Sequence, residues 1–270
     1  MGQDGYVHGY SDREHQRLTD QASSLVELLH WDTGYPAGSD VLEAGCGVGA
    51  QTVTLAQNSP EAHITSVDIS TESLAAAKDR VGRAGLGNVT FRQADIFDLP
   101  FPAASFDHVF VCFVLEHLRD PVGALSRLRA MLKPGGTITV IEGDHGSTYF
   151  HPDDADARRA VSCLVEVQAR LGGDSQIGRR LYPLLADAGF GRVEVSPRMV
   201  YVDGSKPHLI DGFTLKTFTA MVEGVREQAL AAGMIDEASW DRGIAGLTRT
   251  AAADGVFCYT FFKARGLRPA

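Results

Sequence analysis

The stretch Val41-Leu42-Glu43-Ala44-Gly45-Cys46-Gly47-Val48-Gly49 decides the fold. It begins as a β-strand, runs into glycines and passes into a helix that Gln51 and Thr52 open. Gly45 and Gly47 remove side chains where a ligand must approach the backbone, and glycine takes left-handed dihedrals at little steric cost. In an open parallel sheet, ligands bind at the carboxyl ends of the strands, and the N-terminus of the next helix favours negative groups. Asp68 follows about twenty residues on, the distance at which an acidic side chain accepts the hydroxyls of a ribose.

Outward from this motif, strand and helix signals alternate. Ile64 to Val67 reads as a second strand ending at Asp68, and Ser70 caps a helix carrying Leu74, Ala77 and Val81. Val89 begins a third strand that ends near Asp95. Val109 to Val114 is a continuous apolar run, as in a strand buried on both faces. Asp120-Pro121 sets an N-cap before a proline at N1, and Lys133-Pro134-Gly135-Gly136 ends that helix before a fifth strand, Thr137 to Ile141. Alternation of this kind implies βαβ units and a parallel sheet covered by helices.

Ser11-Asp12-Arg13-Glu14 forms a capping box, so an irregular arm leads into a helix over residues 12–30. Strands are also expected at Val193–Val202 and Val256–Phe262. The largely helical stretch between them runs to about fifty residues, far beyond ordinary loop length. The expected organisation is one domain. Residues 1–40 are an N-terminal arm and helix, 41–145 a cofactor-binding core, 146–191 and 204–254 helical lid segments, and 192–203 and 255–263 the last two strands.

Composition excludes several classes. Lys and Arg number 25 against 34 Asp and Glu, giving −9 over 270 residues. An acidic chain without a basic run is a poor partner for nucleic acid or an anionic membrane surface. No apolar stretch reaches membrane-span length, and the N-terminal residues lack signal-peptide character. Cys46, Cys112, Cys163 and Cys258 form no closely spaced pair, so reduced thiols and a cytoplasmic location are expected.

Two nucleotide readings fit the glycines. Gly45-x-Gly47-x-x-Ala50 satisfies the Ala-ended dinucleotide fingerprint. Glu43 would repel a pyrophosphate but suits an ammonium group, and Asp95 can accept from an adenine amino group with Ile96 packed on the ring.

The chain resembles the class I S-adenosylmethionine-dependent methyltransferases. The resemblance rests on Glu43 to Gly49, Asp68, Asp95-Ile96, Phe106-Asp107-His108-Val109 leading to Leu115-Glu116-His117-Leu118, and Leu132-Lys133-Pro134-Gly135-Gly136. These motifs span residues 41–145. The resemblance implies an α/β, Rossmann-like, seven-stranded, mostly parallel sheet with an antiparallel last strand and helices on both faces. It places Gly45 and Gly47 against the methionine part and Asp68 on the ribose. Ile69 and Ile96 would sandwich adenine, and Asp95 would bind its amino group. Backbone at Cys112 and Phe113 would receive the ammonium, and Gln51 and Thr52 would support the carboxylate. The cofactor that the resemblance implies is S-adenosylmethionine, leaving as S-adenosylhomocysteine.

The expected reaction is in-line methyl transfer to an O or N atom of a small molecule, with proximity supplying most of the catalysis. A hydroxyl acceptor needs a general base, and His117, Asp144 and His145 follow the fourth and fifth strands. His145 is expected on an irregular loop, with Asp144 to orient it. Tyr10, Tyr149, Tyr201 and Phe213 are acceptor-pocket candidates. Asp144, His145, His151 and Asp153 match no defined metal motif, so no metal is expected. Competing readings are an NAD-dependent dehydrogenase and a non-catalytic cofactor-binding regulatory protein. Acceptor identity and oligomeric state are not legible.

Overall fold

Seven strands form one sheet in the order β3-β2-β1-β4-β5-β7-β6. The computed structural model describes residues 25–270. The strands are β1 (Asp40–Ala44), β2 (His63–Asp68), β3 (Val89–Gln93), β4 (Phe106–Cys112), β5 (Leu132–His151), β6 (Gly191–Val202) and β7 (Val256–Leu267). Residues 25–30 are helical and are labelled α1. The next helices are α2 (Ala50–Asn58), α3 (Thr71–Arg83), α4 (Pro121–Met131), α5 (Ala155–Arg170) and α6 (Leu181–Asp187). The capping box and the first part of the 12–30 helix lie outside the described residues, as does Tyr10.

β1 pairs in parallel with β2 and β4, β2 with β3, and β4 with β5. Chain order therefore reverses between β1 and β4, which is the topological switch point where open α/β sheets bind ligands. Two sets of bonds fix the direction of β7. Gly135 N–H donates to Arg268 O (3.0 Å) and Arg268 N–H to Gly136 O (2.8 Å). Further along β5, Ser147 Oγ accepts from Thr260 N–H (3.0 Å), so rising numbers on one strand meet falling numbers on the other. The last strands are thus antiparallel in an otherwise mostly parallel sheet.

The chain divides into two compact units. The first comprises Val26–Glu142, Ile177–Arg198 and Phe262–Ala270. On one face of its sheet, Leu42, Ala44, Val67, Val109, Val111, Ile138 and Val140 bury against Ala124, Leu125 and Leu128 of α4 and Leu181, Leu184 and Leu185 of α6. The other face is set by the alternating residues of the same strands, Ser66, Glu43, Phe110 and Thr139, which are register partners in turn. At its margin Lys263 Nζ, 2% exposed, donates to Leu29 O (3.0 Å) and pairs with Asp32 (2.6 Å). Arg198 pairs with the second Asp32 oxygen at 2.6 Å, tying α1 to the last two strands.

The second unit contains Gly143–Gln176 and Met199–Phe261. Two long helices, α5 and Glu237–Arg249, pack closely because Gly243 and Gly246 present no side chain. A Cβ on Gly243 would lie 2.6 Å from Asp156 O. A wide helix, Ile210–Thr219, carries Thr217 and Thr219, whose hydroxyls donate five residues back to Gly212 O (2.7 Å) and Thr214 O (2.8 Å). Phe213, Phe218, Phe257, Tyr259 and Phe261 form an aromatic core with centroids 4.6–6.0 Å apart.

The fifth strand departs from the sequence reading. It runs from Leu132 to His151 rather than Thr137 to Ile141, so Asp144 and His145 stand on a strand and not on an irregular loop. Pairing with the long β7 carries it on. The Lys133–Gly136 turn is absorbed at its start, where the register steps from Phe106↔Leu132 to His108↔Thr137 and Gly135 takes φ +80°. Residues 146–151, expected in a helical segment, belong to this strand as well.

Candidate functional site

The end of β1 is shaped by three glycines with three different duties. Their φ angles are +77° (Gly45), +51° (Gly47) and +75° (Gly49), conformations that cost other residues strain. A Cβ on Gly45 would lie 2.5 Å from Val114 Cγ2, in the loop after β4. A Cβ on Gly49 would meet Ala77 Cα at 2.9 Å, so this glycine lets α2 start close against α3. A Cβ on Gly47 would meet nothing within 4 Å. Gly47 alone of the three faces open space.

Asp68 braces this loop from β2. Its Oδ2 accepts from Gly47 N–H (2.8 Å) and its Oδ1 from Ser70 N–H (2.9 Å). Burial raises its pKa, and the backbone donors at Ser70 and Gly47 oppose the shift. Each oxygen keeps further acceptor capacity for a vicinal diol. Beside it, Ile69 is 45% exposed, an aliphatic side chain at the sheet's ligand edge, while Ile96 is buried. Asp95 Oδ1 accepts from Phe97 N–H at 2.9 Å, which holds the turn after β3.

The facing wall comes from β4. Phe113 takes φ +57°, a left-handed conformation uncommon for an aromatic residue and frequent at functional turns. Its N–H donates to Ile141 O (2.9 Å). Cys46 and Cys112 are buried, and burial pushes both thiols up, so they stand as neutral packing groups rather than nucleophiles.

Three expected cofactor contacts are engaged beneath the loop. Glu43 Oε2 accepts from Thr52 Oγ1 (2.7 Å) and Ser66 Oγ (2.6 Å). Burial pushes the Glu43 carboxyl up to about 7. Gln51 Oε1 accepts from His30 Nε2 at 2.7 Å, and burial takes His30 down to about 4. Glu43, Thr52 and Gln51 thus lock β1, β2, α1 and α2 together under the glycines. His30 gave no local signal, since its partner lies 21 residues away.

The candidate bases divide between the units. His117 ends a single turn, Leu115–His117, with Nε2 at 3.5 Å from Glu116 Oε1. Asp144 is buried in the second unit, and its Oδ1 accepts from Gly146 N–H (3.0 Å). His145 is buried too, and the partner of its Nδ1 is Tyr259 Oη, 2.7 Å away. A Cβ on Gly143, two residues back on the same strand face, would collide with that hydroxyl. Tyr259 was missed in the sequence because it is 114 residues from His145 and reads as one more aromatic of the last strand.

The acceptor candidates do not gather. Phe213 belongs to the aromatic core, whereas Tyr149 and Tyr201 are exposed, Tyr149 with its hydroxyl 3.2 Å from Met199 Sδ. Among the described residues, no group of three or more His, Cys, Asp or Glu could hold a metal ion, and no helix is long and apolar enough to cross a membrane.

Comparison with known proteins places this geometry. Residues 42–140 match the family described as a methyltransferase domain. The chain is similar to demethylmenaquinone methyltransferase of Tropheryma whipplei, 35% identical over 50% of this chain and 56% of the relative. It is also similar to 27-O-demethylrifamycin SV methyltransferase of Amycolatopsis mediterranei, 31% identical over 61% and 63% of the two chains. The chain thus spans less than two thirds of these curated relatives. Its fold is shared with phosphoethanolamine N-methyltransferase 2 of Haemonchus contortus, solved with S-adenosylhomocysteine, at TM-score 0.56 and 20% identity, covering 93% of this chain and 53% of that one.

Proposed function

We propose that this chain, whose residues 42–140 are a class I S-adenosylmethionine-dependent methyltransferase domain, transfers a methyl group to an oxygen or nitrogen of a small molecule. The carrying observation is the pairing at the switch point of an open glycine, Gly47, with Asp68, whose carboxylate already holds the Gly47 N–H. S-adenosylmethionine, when bound, supplies an electrophilic methyl group. The residues present fit it. Asp68 has acceptor capacity for the ribose hydroxyls, exposed Ile69 offers an apolar face to adenine, and the Phe113 turn brings backbone to the amino-acid end.

We assign acceptor recognition to segments 143–176 and 199–261, which lie outside the matched methyltransferase motifs. His145 is the base for a hydroxyl acceptor. Its hydrogen bond to Tyr259 through Nδ1 fixes the orientation of the imidazole. The relatives named for demethylmenaquinone and 27-O-demethylrifamycin SV support a small-molecule acceptor.

Calorimetry with S-adenosylhomocysteine, followed by transfer of a labelled methyl group to a panel of phenols, alcohols and amines, tests the reading. Saturable binding with a labelled product is expected. Binding of NAD with no affinity for S-adenosylhomocysteine would overturn it.

A further inference from the structure

Glu142 has no part in the ligand contacts described so far. It is fully buried, and its Oε1 accepts from the backbone N–H groups of Val114 (3.0 Å) and Leu115 (2.8 Å). Those N–H groups belong to the turn that the left-handed Phe113 opens. The preceding residue on the strand, Ile141, takes the Phe113 N–H, so β5 grips this turn at three successive amides. Val114 in turn sits against Gly45, with Cγ2 2.5 Å from the position a Cβ would occupy there. A contiguous mechanical chain therefore runs from the Glu142 carboxyl through the Val114 turn to the glycine loop.

We propose that Glu142 is a positioning residue for the cofactor: by holding the Val114–Leu115 amides it sets the gap between the Phe113 turn and the Gly45 loop, where the amino-acid end of S-adenosylmethionine binds. The inference rests on the cofactor assignment above. Burial, with the Glu116 carboxylate adding to it, holds Glu142 well above the usual carboxylate range and toward its neutral form. A neutral acceptor oxygen is then what the two amides require, and glutamine supplies one.

The test compares two ligands on the full chain, S-adenosylhomocysteine and adenosine, which lacks the amino-acid end. Glu142→Ala is expected to weaken S-adenosylhomocysteine by about tenfold or more, the scale of one to two lost buried hydrogen bonds, and to leave adenosine affinity unchanged. Glu142→Gln should restore parental affinity. In turnover, Glu142→Ala should raise KM for the cofactor with kcat retained at saturation. Should Glu142→Ala not fold, Glu142→Asp withdraws the acceptor by one methylene and is read by the same ratio. Equal weakening of both ligands, or no weakening of either, would overturn the role of Glu142. A parent protein that binds neither ligand would instead overturn the cofactor assignment.

Discussion

Tyr259 Oη and His145 Nδ1 are 2.7 Å apart in the interior of the second unit, and Gly143 leaves the space in which they meet. A buried imidazole held through one nitrogen has a fixed ring orientation, which is what a base for a hydroxyl acceptor needs. Since general-base catalysis contributes about 10²–10⁴-fold, His145→Ala should lower kcat on a hydroxyl acceptor by about that factor, with cofactor affinity intact. Tyr259→Phe should lower kcat less, because the base remains but loses its brace. Gly143→Ala should mimic Tyr259→Phe by pushing the hydroxyl aside. Steady-state kinetics with labelled methyl groups measure all three, and parental kcat in His145→Ala would remove it from the mechanism.

Asp68 braces Gly47 and Ser70, and in the proposed site it also offers acceptors to a ribose. Hydrogen bonds to a charged group are worth about 1.5–3 kcal/mol each. Asp68→Ala should therefore weaken S-adenosylhomocysteine by about tenfold or more in calorimetry. Undiminished affinity would sink the ribose assignment.

Gly45 and Gly47 separate conformational strain from collision. Gly47→Ala meets open space, so it should lower stability by about 1–2 kcal/mol, the cost of a left-handed side chain. Gly45→Ala bears the same strain and also drives a methyl group into Val114, so about 1–3 kcal/mol of overpacking adds to it. Thermal melts should place Gly45→Ala clearly below Gly47→Ala. Equal melting temperatures for the two variants would show that the loop shifts away from Val114.

Glu43 makes stability depend on pH. Its carboxyl titrates near 7 when folded, against 4.5 as an isolated group, because burial disfavours the charge. Below about pH 4.5 it is protonated in both states, and its neutral form contributes fully to stability. As pH rises toward 7, unfolding releases that proton and the contribution is lost. Glu43→Gln, which keeps an acceptor for Thr52 and Ser66, should melt near the parent at pH 4.5 and progressively above it toward pH 8. A difference in melting temperature that does not grow with pH would show that Glu43 titrates normally in the folded protein.

The glycine loop, the strand alternation and the Asp68 spacing were legible because each is a local pattern of backbone need or hydrophobic period. What escaped was set by distant partners. Nothing local announced that Gln51 pairs with His30, or that Glu43 takes the hydroxyls of Ser66 and Thr52. The 20-residue β5 exceeds the expected Thr137–Ile141 because Lys133-Pro134-Gly135-Gly136 has the local character of a break. Pairing with β7 carries the strand on past Gly143, and no local propensity encodes that.

The two units share their strands in a way that limits how the chain can be cut. Their boundaries fall at Leu25/Val26 within α1, Glu142/Gly143 within β5, Arg198/Met199 within β6 and Phe261/Phe262 within β7, and only Gln176/Ile177 falls between elements. Proteases nick exposed loop tips, so limited digestion should not liberate either unit as a separate fragment. Recombination between relatives meets the same obstacle, since moving the second unit intact requires joins inside three ladders of hydrogen bonds. If the second unit recognises the acceptor as proposed, point substitution within Gly143–Gln176 and Met199–Phe261 is the expected way to change substrate range in this chain, rather than exchange of modules.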